Sequence, residues 1–192
     1  IFQNYNFMLM HHVDAIILKD EVEHWISKNY SYIGGPSFHK NLFTKEPIFP
    51  KYFCNGGLSL RKISDFIMVL NSKKIYFNQF DLNVIKSLMK FKHIHQYINL
   101  IFKNYKFKSN FDVQNFVNEY FLNEDFFWTM LAKLFIKNFR LPKNTLECAN
   151  FSITQGYKFY SIKYGVKPFG IHGYTEKNDF LLKKIFSNYI NT

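Results

Sequence analysis

Residues Cys54–Lys62 read CNGGLSLRK. Two glycines follow an asparagine, apolar and polar residues then alternate through Leu58, Ser59, Leu60 and Arg61, and two cations close the run. Alternation of this kind predicts a strand with one buried face behind the glycines. Asn-Gly is itself a strong turn signal. The competing reading is functional: Gly56 and Gly57 present bare peptide N–H groups, so a diphosphate or sugar can approach without meeting a Cβ. Arg61 or Lys62 would then neutralise the phosphate. A second pair, Gly34–Gly35 in YIGGPSF, poses the same question upstream.

Working outward, NFMLMHHVDAIILK has apolar runs on both sides of a polar break at His11, His12 and Asp14, and the first run suits a buried strand. Lys19–Asn29 places acids early and apolar residues at Val22, Trp25 and Ile26, which predicts a short helix. YSYIGG predicts a strand ending in glycines, Pro36–Phe53 with its three prolines a loop, and Ile63–Ser72 a helix. Phe80–Tyr105 carries helically spaced apolar residues without Pro or Gly and predicts helix broken near Lys92–His95. FDVQNFVNEYF and EDFFWTMLAKLFIKNF continue as helices. FSITQGYKFYSIKYGVKPFGIHGY returns to short β-like runs, with a last helix over Lys177–Tyr189. The order predicts a single α/β domain over residues 1–192: an open sheet with a helical insertion at about 78–122.

The totals fit that picture. The 192 residues are 47% hydrophobic and 20% aromatic, ample for a packed core. No apolar run reaches the roughly 18 residues that a bilayer span needs. The opening IFQNYNFMLMHH shows no basic leader or small-residue cleavage site and no initiator Met, so a piece of a longer cytoplasmic protein is expected. Cys54 and Cys148 lack metal-type spacing and read as free thiols in a reducing compartment. The net charge of +11 favours phosphate-bearing partners or an anionic membrane face. Only Arg61 and Arg140 are arginines, and guanidinium is the group best suited to reading bases, so nucleic acid is disfavoured as a sequence-read partner.

Three places carry candidate chemistry. Asp14 stands where an apolar strand stops; in open α/β sheets ligands bind outside the carboxyl ends of strands. His12 and Asp14 would point the same way on an extended backbone and together suit a divalent cation, whereas the bland reading makes Asp14 a turn cap. In NEDFFW, Glu124 and Asp125 open an aromatic helix, either as caps that satisfy free amides or as a general base among apolar walls. In KPFGIHGY, Gly170 and Gly173 permit a tight loop that presents His172, a metal ligand or an ordinary loop histidine.

Taken in order, LMHHVDAIILKDEVEHW, YSYIGGPSF, NGGLSLRK, NEDFFW, ANFSITQG and KPFGIHGY resemble a family of glycosyltransferase-like domains, over about Tyr5–Tyr174. The resemblance implies a GT-A fold: a Rossmann-like, mixed but mostly parallel sheet, here missing the start that normally holds the nucleobase. It implies a Mn²⁺ or Mg²⁺ site at Asp14 and His172, with His12 at the first position of the metal-binding motif. It implies sugar or acceptor contacts at Asn55, Gly56 and Gly57, and a base supplied by Asp125 with Glu124. Gly34, Gly35 and Arg61 fall in the same motifs. The implied activity is inverting transfer from a nucleotide-sugar donor to a glycan or lipid-linked hydroxyl, with peripheral docking at the inner membrane face compatible with the basic charge. Two other classes stay open: a basic module for RNA or single strands, and a folded but inactive transferase-like domain.

Overall fold

The computed structural model describes residues 2–36, 39–40, 47–48, 54–73, 113, 124–154, 160–161 and 164–173. CNGGLSLRK is one nine-residue strand, β6 (Cys54–Lys62), and the principal sheet is built around it. On one side lies β1 (Phe7–His11), on the other β3 (Tyr32–Pro36), both antiparallel to β6. A second sheet has the order β2 (Ala15–Ile17), β8 (Gly170–His172), β7 (Ser152–Ile153); β2 runs antiparallel and β7 parallel to β8. Between β3 and β6, β4 (His39–Lys40) and β5 (Pro47–Ile48) pair antiparallel inside the segment expected to be loop.

Mixed helices and strands make the fold α/β-like, but the expected mostly parallel sheet is not what these residues form. Among them only β7 and β8 pair in parallel. The strands are apolar because helical layers cover them, and burial on both faces produces the same apolar run whichever way the neighbours point.

Period-two alternation divides the core. Leu58, Leu60 and Ile33 face a cluster with Trp25, Phe151 and Phe169. This side is closed by α1 (Val22–Ser27), whose end is turned by Asn29 at φ 53°, and by α4 (Thr145–Phe151). Tyr32 and Cys54 belong to the opposite cluster, with Val69, Phe127, Trp128 and Phe135. Here α2 (Ile63–Leu70) and α3 (Glu124–Phe126) pack; α3 continues as a π-helical turn over Phe127–Leu131 and a 3-10 turn over Ala132–Leu134. The π turn stacks Trp128 on Phe66, ring centroids 3.8 Å apart.

Helix α4 has a legible start: Asn144 Oδ1 accepts the Glu147 N–H at 2.8 Å and Glu147 Oε2 accepts the Lys143 N–H at 3.1 Å, a capping arrangement encoded in Asn-Thr-Leu-Glu. The helices expected over Phe80–Tyr105, 111–121 and Lys177–Tyr189, and the insertion at about 78–122, lie outside the described residues apart from the helical Val113.

Candidate metal centre and acid pair

The two glycine pairs face each other across β3 and β6. Gly34 is opposite Ser59 while Gly35 is opposite Asn55, so β6 carries extra residues at Gly56–Leu58 and arches there as a bulge. The Asn-Gly-Gly stretch is therefore neither a hairpin turn nor the approach to a strand; it lies within one. Asn55 shapes the arch, its Oδ1 accepting the Gly57 N–H at 2.9 Å. A Cβ on Gly34 would stand 2.1 Å from the Asn55 carbonyl oxygen. One on Gly35 would stand 2.8 Å from the Ser152 carbonyl oxygen.

The bulge glycines make room for this protein's own side chains. A Cβ on Gly57 would fall 1.9 Å from His172 Nε2; one on Gly56 would meet Glu124 Oε1 at 2.9 Å and an Arg61 terminal nitrogen at 3.0 Å. The faces of Gly56 and Gly57 where a sugar ring was expected thus lie against side chains of the protein itself. Arg61, expected beside a diphosphate, is engaged within the protein. Arg61 is only 5% exposed. It holds both Glu124 oxygens, at 2.6 and 3.1 Å, donates to Ser59 Oγ at 3.0 Å, and lies over the rings of Tyr32 and Phe66. A buried, bidentate guanidinium is not free for a diphosphate. Lys62 reaches Asp65 at 3.7 Å.

Three ligating side chains converge above the bulge. His12 sits where β1 ends, its N–H donating to the Gly57 carbonyl at 2.8 Å; its own carbonyl accepts from the Ala15 N–H at 3.0 Å and closes a turn. His12 and Asp14 thus lie on a turn, not on the extended backbone expected, with exposed Val13 at the tip. β8 brings His172 from the far end of the chain, because Ala15 pairs with His172 in register. Asp14 Oδ1 lies 3.3 Å from His172 Nε2, and the His12 and His172 rings meet edge to face at 5.3 Å. One ligand atom from each of His12, Asp14 and His172 lies within 4.8 Å of the others.

Burial favours the neutral ring of His172, pushing the imidazole below its ordinary pKa of 6.5 against the opposing pull of Asp14. Two imidazoles and one carboxyl group form a mixed nitrogen and oxygen donor set, which a divalent transition-metal ion accepts more readily than Mg²⁺ does, since Mg²⁺ prefers an all-oxygen shell. Beside this site, Ser152 Oγ, Thr154 Oγ1 and His172 Nδ1 are buried without a hydrogen-bond partner among the described residues.

The acid pair joins the same bulge from the helical side. Asp125 Oδ2 accepts the Gly56 N–H at 3.3 Å, and Oδ1 accepts the Phe126 N–H at 2.9 Å. Burial raises its carboxyl above the ordinary 3.8, although both N–H groups pull the other way. Glu124, with its side chain 56% exposed, is tied to Arg61. The two acids are thus anchored to β6 and do more than cap their helix. Two further site-shaping residues were not singled out by spacing. Ser59 Oγ donates to the Gly56 carbonyl at 2.9 Å, and the Tyr32 hydroxyl donates to the Cys54 carbonyl at 3.4 Å. Their only sequence signal is their place on the inward face of strands flanking glycines.

A family model described as "Protein of unknown function (DUF5672)" matches residues 1–172. No curated protein and no solved structure matches the chain significantly.

Proposed function

We propose that this chain, which belongs to the DUF5672 family, is a metal-assisted glycosyltransferase of GT-A type, moving a sugar from a nucleoside diphosphate to a hydroxyl acceptor with inversion. The observation that carries the reading is the convergence of His12, Asp14 and His172 beside a buried acid on the same glycine bulge. Those three residues would hold the ion, Mn²⁺ by preference. When bound, such an ion supplies Lewis acidity toward diphosphate oxygens.

The rest falls to the protein's own groups. Gly57 seats the His172 ring, and the turn at His12–Ala15 sets Asp14 against it. Arg61 and Glu124 clamp the bulge and position Asp125. Asp125, whose raised carboxyl keeps proton affinity, takes the proton from the acceptor hydroxyl. The acceptor oxygen bonds to the anomeric carbon as the bond from that carbon to the diphosphate oxygen breaks, so the leaving group departs from the opposite face. Donor, glycan or lipid-linked acceptor, and inner-face docking belong to the same proposal; no helix among the described residues is long and apolar enough to cross a membrane.

Thermal melting with Mn²⁺, Mg²⁺ and a panel of nucleoside diphosphates tests this. Stabilisation by a diphosphate only when Mn²⁺ is present, lost in Asp14→Asn and His172→Ala, is the expected result. Ligand at about 100 times its Kd stabilises by about 2.7 kcal/mol. Melting curves indifferent to both metal and nucleotide would remove the reading.

A second reading rests on a different face. A groove of about 550 Å³ is lined by Lys19, Lys28, Lys143 and Lys167 around Trp25. It favours a polyanion such as RNA, for which binding must fall steeply with salt and ignore Mn²⁺. Two of its features weigh against that. Lys19 Nζ is engaged by the Lys167 carbonyl at 2.6 Å and by Glu21 at 3.4 Å, and Glu147 also lines the groove.

A further inference from the structure

Cys54 opens β6, immediately before the bulge, and Cys148 lies on α4, 94 residues later. Their Sγ atoms are 3.2 Å apart. Both thiols are free, and both are buried in the cluster that holds Tyr32, Val69, Phe127 and Trp128. A disulfide needs about 2.05 Å between sulfurs, so closure asks for a movement of roughly 1.1 Å. Filling space as a small hydrophobe does not by itself require a second sulfur at a cysteine's side; here the two thiols also share a weak S–H···S hydrogen bond.

We propose that Cys54 and Cys148 form an oxidisable pair whose disulfide ties the entry of the β6 bulge to helix α4. This is independent of the transferase reading. The oxidant is a small-molecule disulfide such as oxidised glutathione. One cysteine, as thiolate, attacks it, forming a mixed disulfide and releasing one glutathione thiolate. The second cysteine, after losing its proton to solvent, attacks the protein sulfur of that mixed disulfide and releases the other glutathione. Two protein thiols and one oxidised glutathione thereby become one protein disulfide and two glutathiones. Cys54 at its side and then burial hold the Cys148 thiol well above its ordinary pKa, so the exchange is slow at pH 7 and quickens as pH rises.

The consequence reaches the site. Cys54 is bonded to Asn55, whose side chain holds the Gly57 N–H, so a bridge at Cys54 anchors the strand that seats His172. Cross-linking residues this far apart in sequence also restricts the unfolded chain strongly.

The test uses the full chain in native buffer, incubated with oxidised glutathione at about pH 8.5, where exchange runs faster than at pH 7. Intact mass after alkylation, a non-reducing peptide map and the melting temperature are then read. The expected product has lost two hydrogens, takes up no alkylating agent, yields one peptide pair joining Cys54 to Cys148, and melts several degrees higher; dithiothreitol reverses all four. Cys54→Ser and Cys148→Ser should each lose the effect. If either variant fails to fold, the wild-type peptide map still decides. Full alkylation of both cysteines after oxidation, stable adducts of glutathione on each, cross-linked dimers, or a bridge that leaves the melting temperature unchanged would each overturn the proposal.

Discussion

At the residue scale, the site turns on what a glycine leaves out. Gly57 is not one of the described glycines with positive φ, which are Gly165 and Gly173. Its requirement is space for an imidazole. Gly57→Ala should therefore cost only about 1–2 kcal/mol in urea unfolding, because the His172 ring is the movable partner. Mn²⁺ affinity, followed by calorimetry, should fall roughly 10–100-fold, as it does when ligand orientation is lost. Asp125 makes the complementary prediction. Asp125→Asn should lower transfer by about 10²–10⁴-fold while leaving donor binding nearly unchanged. With the native acid, the rate should fall as pH drops through a value above 3.8, since the base must be ionised. An acid limb unmoved by the Asn variant's residual rate profile, or turnover equal to wild type, would take Asp125 out of that role.

At the element scale, β6 is the strand on which both halves of the site are mounted. Its bulge meets His12 and His172, the latter beside Asp14; its helical side carries Arg61 and meets Glu124 and Asp125. The bulge lets one strand serve both, because it lifts Gly56 toward α3 and leaves Gly57 under β8. Gly34 locks the bulge from the neighbouring strand, where its missing Cβ admits the Asn55 carbonyl. That partner is backbone and cannot rotate away. Gly34→Ala should thus destabilise by about 2–4 kcal/mol, more than Gly57→Ala, in the same urea titration. Equal costs for the two would show that the bulge is softer than its packing implies.

At the scale of the whole molecule, the site writes two opposed slopes into stability against pH. His172 has a folded pKa below 6.5, so the unfolded chain binds the proton more tightly; stability contributed there is present above 6.5 and is lost as pH falls through that value toward the depressed one. Asp125 has a folded pKa above 3.8, so the folded chain binds the proton more tightly; its contribution favours the folded state at low pH and is lost as pH rises from 3.8 through the raised value. Metal-free protein should lose melting temperature as pH falls below 6.5, and His172→Gln should flatten that slope. Mn²⁺ should steepen it, because the ion competes with protons for the same nitrogen.

Much of this was legible in the linear chain. Local pattern placed a strand at YSYIGG, found at Tyr32–Pro36, a helix over Ile63–Ser72, found at Ile63–Leu70, and a helix opened by Glu124 and Asp125, because side-chain periodicity and breakers act over a few residues. The ordered motifs singled out His12, Asp14, Asp125 and His172, and the folded chain does bring the three metal-type ligands together. Strand direction, the length of β6 and the bulge were not legible, since an apolar run carries no sign of which way its neighbour points. Nor was the use of the glycines. Whether Gly56 and Gly57 admit a ligand or a carboxyl group and an imidazole depends on which chain segment arrives above them, and that is set by α3 and β8, about seventy and more than a hundred residues away along the chain, only once the sheets have packed.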